Sequence, residues 1–418
     1  MQTRALPGFR DFYPDDFALR AHIFRTWRSI AGRYGFEEYD GPPLEPLELY
    51  TAKSGEEIVG QLYNFTDKGD RAVALRPEMT PTLARMVAAR ANGLKKPIRW
   101  FSIPQLFRYE RQQRGRLREH FQLNCDLIGE TSPLADAEII ALSIDVMRAF
   151  GFGPDDFKVR LFDRRTLVAL LERMNLTEAQ LPLLFKVYDK WDRVPADASI
   201  QQLREAGIER QLPQVQELAE LWKEPDPRKA LSAVSTGGDE LAPVFQALHD
   251  MGLGDYVVLD ARVVRGLAYY TGTVFELFDT KGELRAICGG GRYDNLAGAL
   301  GGVDLPAVGF GFGDVVLGEL LKDRGLVPAP EPSCDVFVVA VTGEDMPDVL
   351  HLAHGLRNEG FRVEYALSGQ KLRKQLDLAD ARGARVALIV GPEERSSGRV
   401  VVKDQSLSTQ IKASVPLT

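Results

Sequence analysis

The sequence predicts an α+β protein: an antiparallel-sheet domain carrying a helical insertion, followed by a small C-terminal α/β domain. Three observations predict it. IRWFSIPQLFRYER and HFQLNCDLIG have mixed, partly alternating apolar patterns and read as two antiparallel strands joined by the polar, Gly-containing loop QQRGRLRE. From about residue 166 to 252 the chain becomes rich in Leu, Glu and Gln, poor in glycine until STGGDE, and helical in period. After VPAPEP, with prolines at 328, 330 and 332, apolar strand patterns alternate with helix patterns. The expected division is a first domain over 1–326 with its insertion at about 166–252, a linker at 327–332 and a second domain over 333–418.

The elements follow in order. Asp16 to Tyr34 is an amphipathic helix, with Leu19, Ile23, Trp27 and Ile30 at helical spacing. GFEEYDGPPLEP is extended and broken by proline. VALRPEMTPTLARMVAARA is a strand end turning into a helix, with Thr80 or Thr82 as its cap and Pro81 in its first turn. DAEIIALSIDVMRAFG is a helix ended by Gly151. Strand patterns return in YVVLDARVVRG, AYYTGTVFELF and ELRAICGGGRYD, and VGFGFGDVVLGELLKDRG is a strand running into a helix. Beyond the linker come DVFVVAV, a helix to about Gly360, FRVEYAL, a helix to about Gly383, ARVALIVG and RVVVKD, giving a largely buried sheet.

Composition narrows the function classes. The 418 residues are 44% hydrophobic and 27% charged, as in ordinary globular proteins. A net charge of −7 excludes a globally basic nucleic-acid binder, though a local basic face remains compatible with it. Cys125, Cys288 and Cys334 form no CxxC pair, which argues against a zinc knuckle or a disulfide framework and for a reducing, cytoplasmic setting. No apolar run is long enough to span a bilayer, and the N-terminus lacks a signal-peptide core.

Three arginine-bearing stretches are candidates for anion binding, because guanidinium stays charged and offers a planar fork to carboxylate or phosphate. In FRYER, Arg108 sits at a strand end with Glu110; Arg114, Arg116 and Arg118 follow in the loop, either as a reach for a larger polyanion or as a solvated charged turn. In VVRGLAYYTG, Arg265 precedes Tyr269 and Tyr270, which point to opposite faces if extended, one to the core and one to a cleft. In AICGGGRYDNL three glycines bare the backbone, which leaves open a phosphate-cradling turn, although no P-loop spacing is present. GFGFGD is mis-spaced for a dinucleotide fingerprint. Glu78 and Thr80 of LRPEMT suit a ligand ammonium or, equally, a helix N-terminus.

Taken in order, GFEEYDGPP, LRPE, FRYER with its arginine loop and QLNCD, RGLAYYTG, GGGRYD and GFGFG resemble the histidyl-tRNA synthetases, a branch of the class II aminoacyl-tRNA synthetases, over nearly the whole chain. The resemblance implies a class II catalytic domain and a C-terminal anticodon-binding domain. It implies activation of histidine by ATP with Mg²⁺ and transfer to tRNA(His), without a protein metal site. Arg108 and Arg265 match α-phosphate ligands, and Glu110 matches a glutamate near the adenine. Glu78, Thr80 and Gln122 match the α-amino pocket; Asp126 and Tyr270 match positions holding the imidazole, with Tyr269 and Arg265 grouped in the same histidine site. Arg114, Arg116 and Arg118 match the loop that meets the tRNA acceptor end. In the second domain, Lys371, Arg373 and Lys374 are the expected tRNA contacts. The helix from Asp16 with GFEEYDGPPLE resembles the first class II motif, which implies a homodimer. Val316 stands at or near the place of a usual third-motif arginine, Ala268 replaces a usual aspartate, and Asp126 replaces a more frequent glutamate. The alternative is a silent regulator like the synthetase-like subunit of ATP phosphoribosyltransferase, which lacks the C-terminal domain. An ATP-dependent amino-acid ligase acting without tRNA is a third reading.

Overall fold

The computed structural model describes residues 4–51, 60–110, 114–177, 180, 184, 196–205, 207–213, 241–260, 263, 270–281, 286–294, 305–329, 332–404 and 410–411. Two compact units result, Met1–Pro328 and Ala329–Thr418.

In the first unit the strands are β1 (Glu37–Glu38), β2 (Leu44–Pro46), β3 (Asn64–Thr66), β4 (Ala72–Leu75), β5 (Ile98–Ser102), β6 (Gln105–Phe107), β7 (Glu119–Ile128), β8 (Phe157–Asp163), β9 (Val257–Leu259), β10 (Thr273–Asp279), β11 (Cys288–Arg292) and β12 (Ala307–Gly313). The main sheet runs β1-β5-β7-β12-β11-β10-β8-β9, with β6 also paired to β7. Every pair in it is antiparallel except β1–β5 and β8–β9. A separate small sheet runs β2-β4-β3.

Side-chain alternation sorts this sheet into two faces. Leu123, Cys125 and Leu127 of β7, Phe310 and Phe312 of β12 and Phe275 and Leu277 of β10 enter one continuous core. Helices Pro14–Arg33, Pro133–Ala149, Leu241–Asp250 and Asp314–Asp323 contribute Trp27, Ile140, Val244 and Leu317 to it. Helix Pro133–Ala149 starts on Ser132, whose hydroxyl accepts from the Leu134 N–H at 3.2 Å, and stops before Gly151 at φ 92°. The threonines expected to cap Thr80–Arg90 do not. Met79 holds the cap position without a side-chain bond, and the Thr82 hydroxyl donates to the buried Glu45 carboxylate at 3.1 Å. A buried acceptor 37 residues away outbids the local backbone. Of the helical insertion, the described parts include helices Arg164–Met174 and Ala196–Glu205.

The second unit is a sheet of β13 (Val336–Ala340), β14 (Val363–Tyr365), β15 (Val386–Val390), β16 (Val401–Asp404) and β17 (Gln410–Ile411). Its order is β14-β13-β15-β16-β17, parallel across β14-β13-β15 and antiparallel beyond. Helix Met346–Asn358 packs Val349 and Ala353 on one face, and helix Leu372–Ala381 packs Ala379 on the other.

The Arg292 guanidinium, at the end of β11, is buried against Asp136, with Nη1 donating to Glu130 O at 3.0 Å and Nη2 to Ser132 O at 3.3 Å. Burial pushes the Asp136 carboxyl up even against this arginine. The pair is therefore costly to break more than a large source of net stability. Arg292→Met should lower the unfolding free energy by about 3–5 kcal/mol, and Arg292→Met with Asp136→Leu should recover most of it. Chemical denaturation decides this; a single variant within 1 kcal/mol of wild type would refute the reading.

Candidate active site

On the sheet face away from the core, β7 presents His120, Gln122, Asn124 and Asp126 by alternation. Register extends two rows from them. Asp126 lies between Trp100 of β5 and Gly309 of β12, Gly309 pairs with Gly291 of β11, and Gly291 with Val274 of β10. Beside that row run Ser102, Asn124, Gly311, Gly289 and Glu276. Past Ala307 at the start of β12, these two adjacent central strands thus carry only glycine on this face. GGG is neither a turn nor a phosphate cradle of the kind the sequence left open; it is mid-strand. GFGFG is a period-2 strand, glycine toward the site and phenylalanine toward the core.

Neighbouring side chains require the glycines. A Cβ on Gly309 would stand 2.2 Å from Asp126 Oδ1, and one on Gly311 2.5 Å from Gln122 Nε2. One on Gly291 would stand 2.9 Å from the Tyr270 ring. Asp126, Gln122 and Tyr270 therefore lie over a bare backbone floor. Gly290, on the core side, sits where a Cβ would fall 2.4 Å from Gly309 O and 2.7 Å from Phe275.

Asp126 is buried and accepts a hydrogen bond from the Tyr293 hydroxyl. Burial pushes its carboxyl up to about 7, against the pull of that bond. Tyr39, Trp100, Tyr270 and Tyr293 share the apolar cluster beside it. Burial raises the Tyr270 phenol above its ordinary range, and Glu78, Cys288, Glu276 and Asp126 add to the shift. The hydroxyl end is thus in acidic surroundings suited to an ammonium or to imidazole N–H groups.

The cationic end adjoins it. Arg108 Nε donates to Pro77 O at 2.9 Å, which fixes the guanidinium against Glu78's neighbour, and no bond from its Nη groups is found among the described residues. Buried Glu110 pairs with Arg116. Arg118 stacks on Tyr109 at 4.1 Å, and Arg114 reaches Asp323 at 2.7 Å on the helix after β12. The loop arginines are thus engaged within the unit, whereas the sequence reads them as either outward-reaching or solvated. Arg116 in particular stands at Glu110. Gly115, at φ 76°, places its missing Cβ 3.4 Å from Val316, so the loop lies against Val316. Burial, then Arg108 and Arg10, lower the His120 imidazole to about 3, keeping it neutral at working pH.

Arg10 was not among the sequence candidates. Its Nε donates to Glu119 Oε1 at 2.6 Å and its Nη1 pairs with Asp314 at 2.9 Å; Gly8 O accepts from Arg118 N at 3.0 Å. The N-terminal segment thereby ties the loop's return strand to the helix after β12. Burial opposes the Arg10 charge, and Asp314 and Glu119 outweigh it. Tyr293 was readable: it continues the site-face alternation of Gly289 and Gly291. Arg10 and Tyr39 carried no comparable signal. Of the expected site residues, Glu78, Thr80, Arg108, Glu110, Gln122, Asp126 and Tyr270 are in the described structure; Arg265 and Tyr269 lie outside it. Among the described residues no three His, Cys, Asp or Glu side chains are grouped to hold a metal ion.

Two outcomes follow from this geometry. Gly309→Ala should destabilise the protein by about 1–3 kcal/mol through overpacking, whereas Gly313→Ala, which meets nothing within 4 Å, should be near neutral. Equal costs on denaturation would refute the role of the floor. Asp126 ionises later in the fold than in the unfolded chain, so its ionisation costs stability as pH rises from about 4 to about 7. Asp126→Asn should escape that loss, gaining up to about 4 kcal/mol over wild type between pH 4 and pH 8. Parallel stability curves would contradict the shift.

The sequence profile of histidyl-tRNA synthetase matches residues 8–313, and that of an anticodon binding domain matches 335–416. A histidine–tRNA ligase of Opitutus terrae is 47% identical over 422 residues, covering 99% of this chain and 96% of its own. One from Leptospira biflexa is 40% identical, covering 98% and 95%. The crystal structure of histidyl-tRNA synthetase from Nostoc sp. PCC 7120 superposes with a TM-score of 0.83 at 26% identity, covering 99% of this chain and 97% of that one. The chain belongs to the histidyl-tRNA synthetase family.

Proposed function

We infer that the protein is a histidine–tRNA ligase, activating histidine with MgATP and passing it to tRNA(His). The observation that carries this is a buried carboxylate over a glycine floor, Asp126 above Gly309, set beside a cationic end at Arg108 in a member of this family. Asp126 and Tyr270 hold the imidazole. Glu78, Thr80 and Gln122 hold the α-amino group, with Arg265 and Tyr269 completing the histidine site. A pocket that must hydrogen-bond its ligand rejects apolar isosteres strongly.

In the first step a carboxylate oxygen of histidine attacks the α-phosphorus of ATP, the bond to the bridging oxygen breaks, and pyrophosphate leaves with its electron pair. Charge develops on the phosphoryl oxygens, where positioned guanidiniums act most strongly. Arg108, braced by Pro77 O, and Arg265 supply them. Glu110 meets the adenine amine, which requires Arg116 to yield that carboxylate. In the second step a ribose hydroxyl of tRNA(His) attacks the histidyl carbonyl and AMP leaves. The loop with Arg114, Arg116 and Arg118 faces the acceptor end.

The second unit binds tRNA through Lys371, Arg373 and Lys374. All three are exposed, and they stand at the start of helix Leu372–Ala381, whose first turn holds no acid. Cations there oppose the helix dipole, so helix stability does not account for them. A homodimer built on Pro14–Arg33 and the following strands, acting in the reducing cytoplasm, completes the reading. All three cysteines are free and buried. Among the described residues no helix is long and apolar enough to cross a membrane.

Histidine-dependent ATP–pyrophosphate exchange is the test. It should exceed background with histidine alone among the amino acids, followed by charging of tRNA(His). Arg108→Ala and Arg265→Ala should each cut the exchange rate by roughly 10²–10³-fold, the cost of one preorganised donor, and Arg108→Ala should leave histidine affinity nearly unchanged. Wild-type protein without exchange would favour a silent regulator. A variant at wild-type rate would make that arginine structural.

A further inference from the structure

Tyr39 follows β1 at the sheet edge and its N–H donates to Phe101 O at 2.9 Å. Its ring lies against Trp100, with centroids 5.5 Å apart, and Trp100 is the direct cross-strand neighbour of Asp126. The hydroxyl is buried and has no hydrogen-bond partner among the described residues. A phenylalanine would fill the same space without that penalty, since an unmatched buried polar group destabilises a fold. The ionisable groups bearing on this hydroxyl are Asp126 foremost, then Cys125, Asp40 and Arg76. Asp40 and Arg76 pair with each other at 2.8 Å. Burial holds the phenol un-ionised far above its ordinary range, so it acts as a donor.

Around Asp126 the other titratable neighbours are Tyr293, which occupies Oδ1, Cys125 and Tyr270. Cys125 is a buried, un-ionised thiol whose pKa is raised, chiefly by burial. The Tyr293 hydroxyl engages Oδ1, which leaves Oδ2 as the carboxylate oxygen assigned here to an imidazole N–H. Once that N–H arrives, Asp126 must carry its charge in a dry, apolar place, and a second donor is then worth most.

We propose that Tyr39 is a positioning residue of the histidine site, whose hydroxyl closes on the Asp126 carboxylate when histidine binds and holds it ionised. This rests on the assignment of Asp126 to the imidazole. The unmatched hydroxyl is the reserve that the bound state uses.

Histidine binding to the full chain by titration calorimetry, for wild type and Tyr39→Phe between pH 5.5 and pH 8.5, tests it. At pH 8 the variant should bind histidine about 10-fold or more weakly, as for loss of one charge-assisted bond. The ratio of the two affinities should shrink toward unity as pH falls and Asp126 becomes protonated in both. Substrate titration cancels in that ratio. ATP affinity should not change, and the free variant should unfold at the same temperature or higher. A ratio within twofold at pH 8 would overturn the proposal, as would a loss independent of pH, which is the mark of mere packing damage. Wild-type protein that does not bind histidine would overturn the functional reading itself, and this inference with it.

Discussion

Asp126, Gln122 and Tyr270 lie over Gly309, Gly311 and Gly291, and no side chain larger than hydrogen fits beneath them. That steric constraint organises the first unit. It places glycine at alternate positions of β11 and β12, and so leaves one face of the sheet centre without side chains of its own. Glycine weakens a strand, and two adjacent strands of it need support from elsewhere. The support is on the opposite face, where Phe275, Phe310 and Phe312 pack under four helices. It continues at the end of β11, where Arg292 ties the strand to the start of helix Pro133–Ala149.

The same arrangement separates the chemistry into two ends. At one, burial raises the Asp126 carboxyl among aromatic rings. At the other, Arg108 is held by a backbone carbonyl while Glu110 and Arg116 neutralise each other. Polar groups are thus held in fixed positions at both ends, which is what electrostatic preorganisation requires. The Arg10 bridge between Glu119 and Asp314 keeps the loop's return strand and the following helix in fixed relation, so the two ends keep their spacing.

Much of this was legible in the sequence, for physical reasons that differ from element to element. Period-2 and period-3.6 patterns located β7, β12 and the helices because burial on one face dictates them. Gly151 as a helix stop was readable because a left-handed φ is a local property. The glycine runs were harder. Both runs lie in segments that the sequence reads as strands, but the triplet also left a turn open, and only pairing across the sheet shows that their alternate glycines share one face. Thr82 misled because its acceptor, Glu45, is remote. The arginine loop also has a remote partner: sequence reports its charge but not Asp323, more than two hundred positions on from Arg114. Tyr39 and Arg10 have roles only through partners that three-dimensional packing supplies. Arg265 and Tyr269 rest on resemblance alone.

The central claim is that the glycine floor beside Asp126 receives the imidazole while Arg108 receives the phosphate. A crystal structure of the protein with a non-hydrolysable histidyl-adenylate analogue tests it most directly. The account predicts the imidazole over Gly309 and Gly291, one ring nitrogen about 2.7–3.2 Å from Asp126, and the phosphate analogue against the Arg108 Nη groups. An imidazole bound away from Asp126, or an adenylate lying in the reverse sense along the sheet, would contradict it.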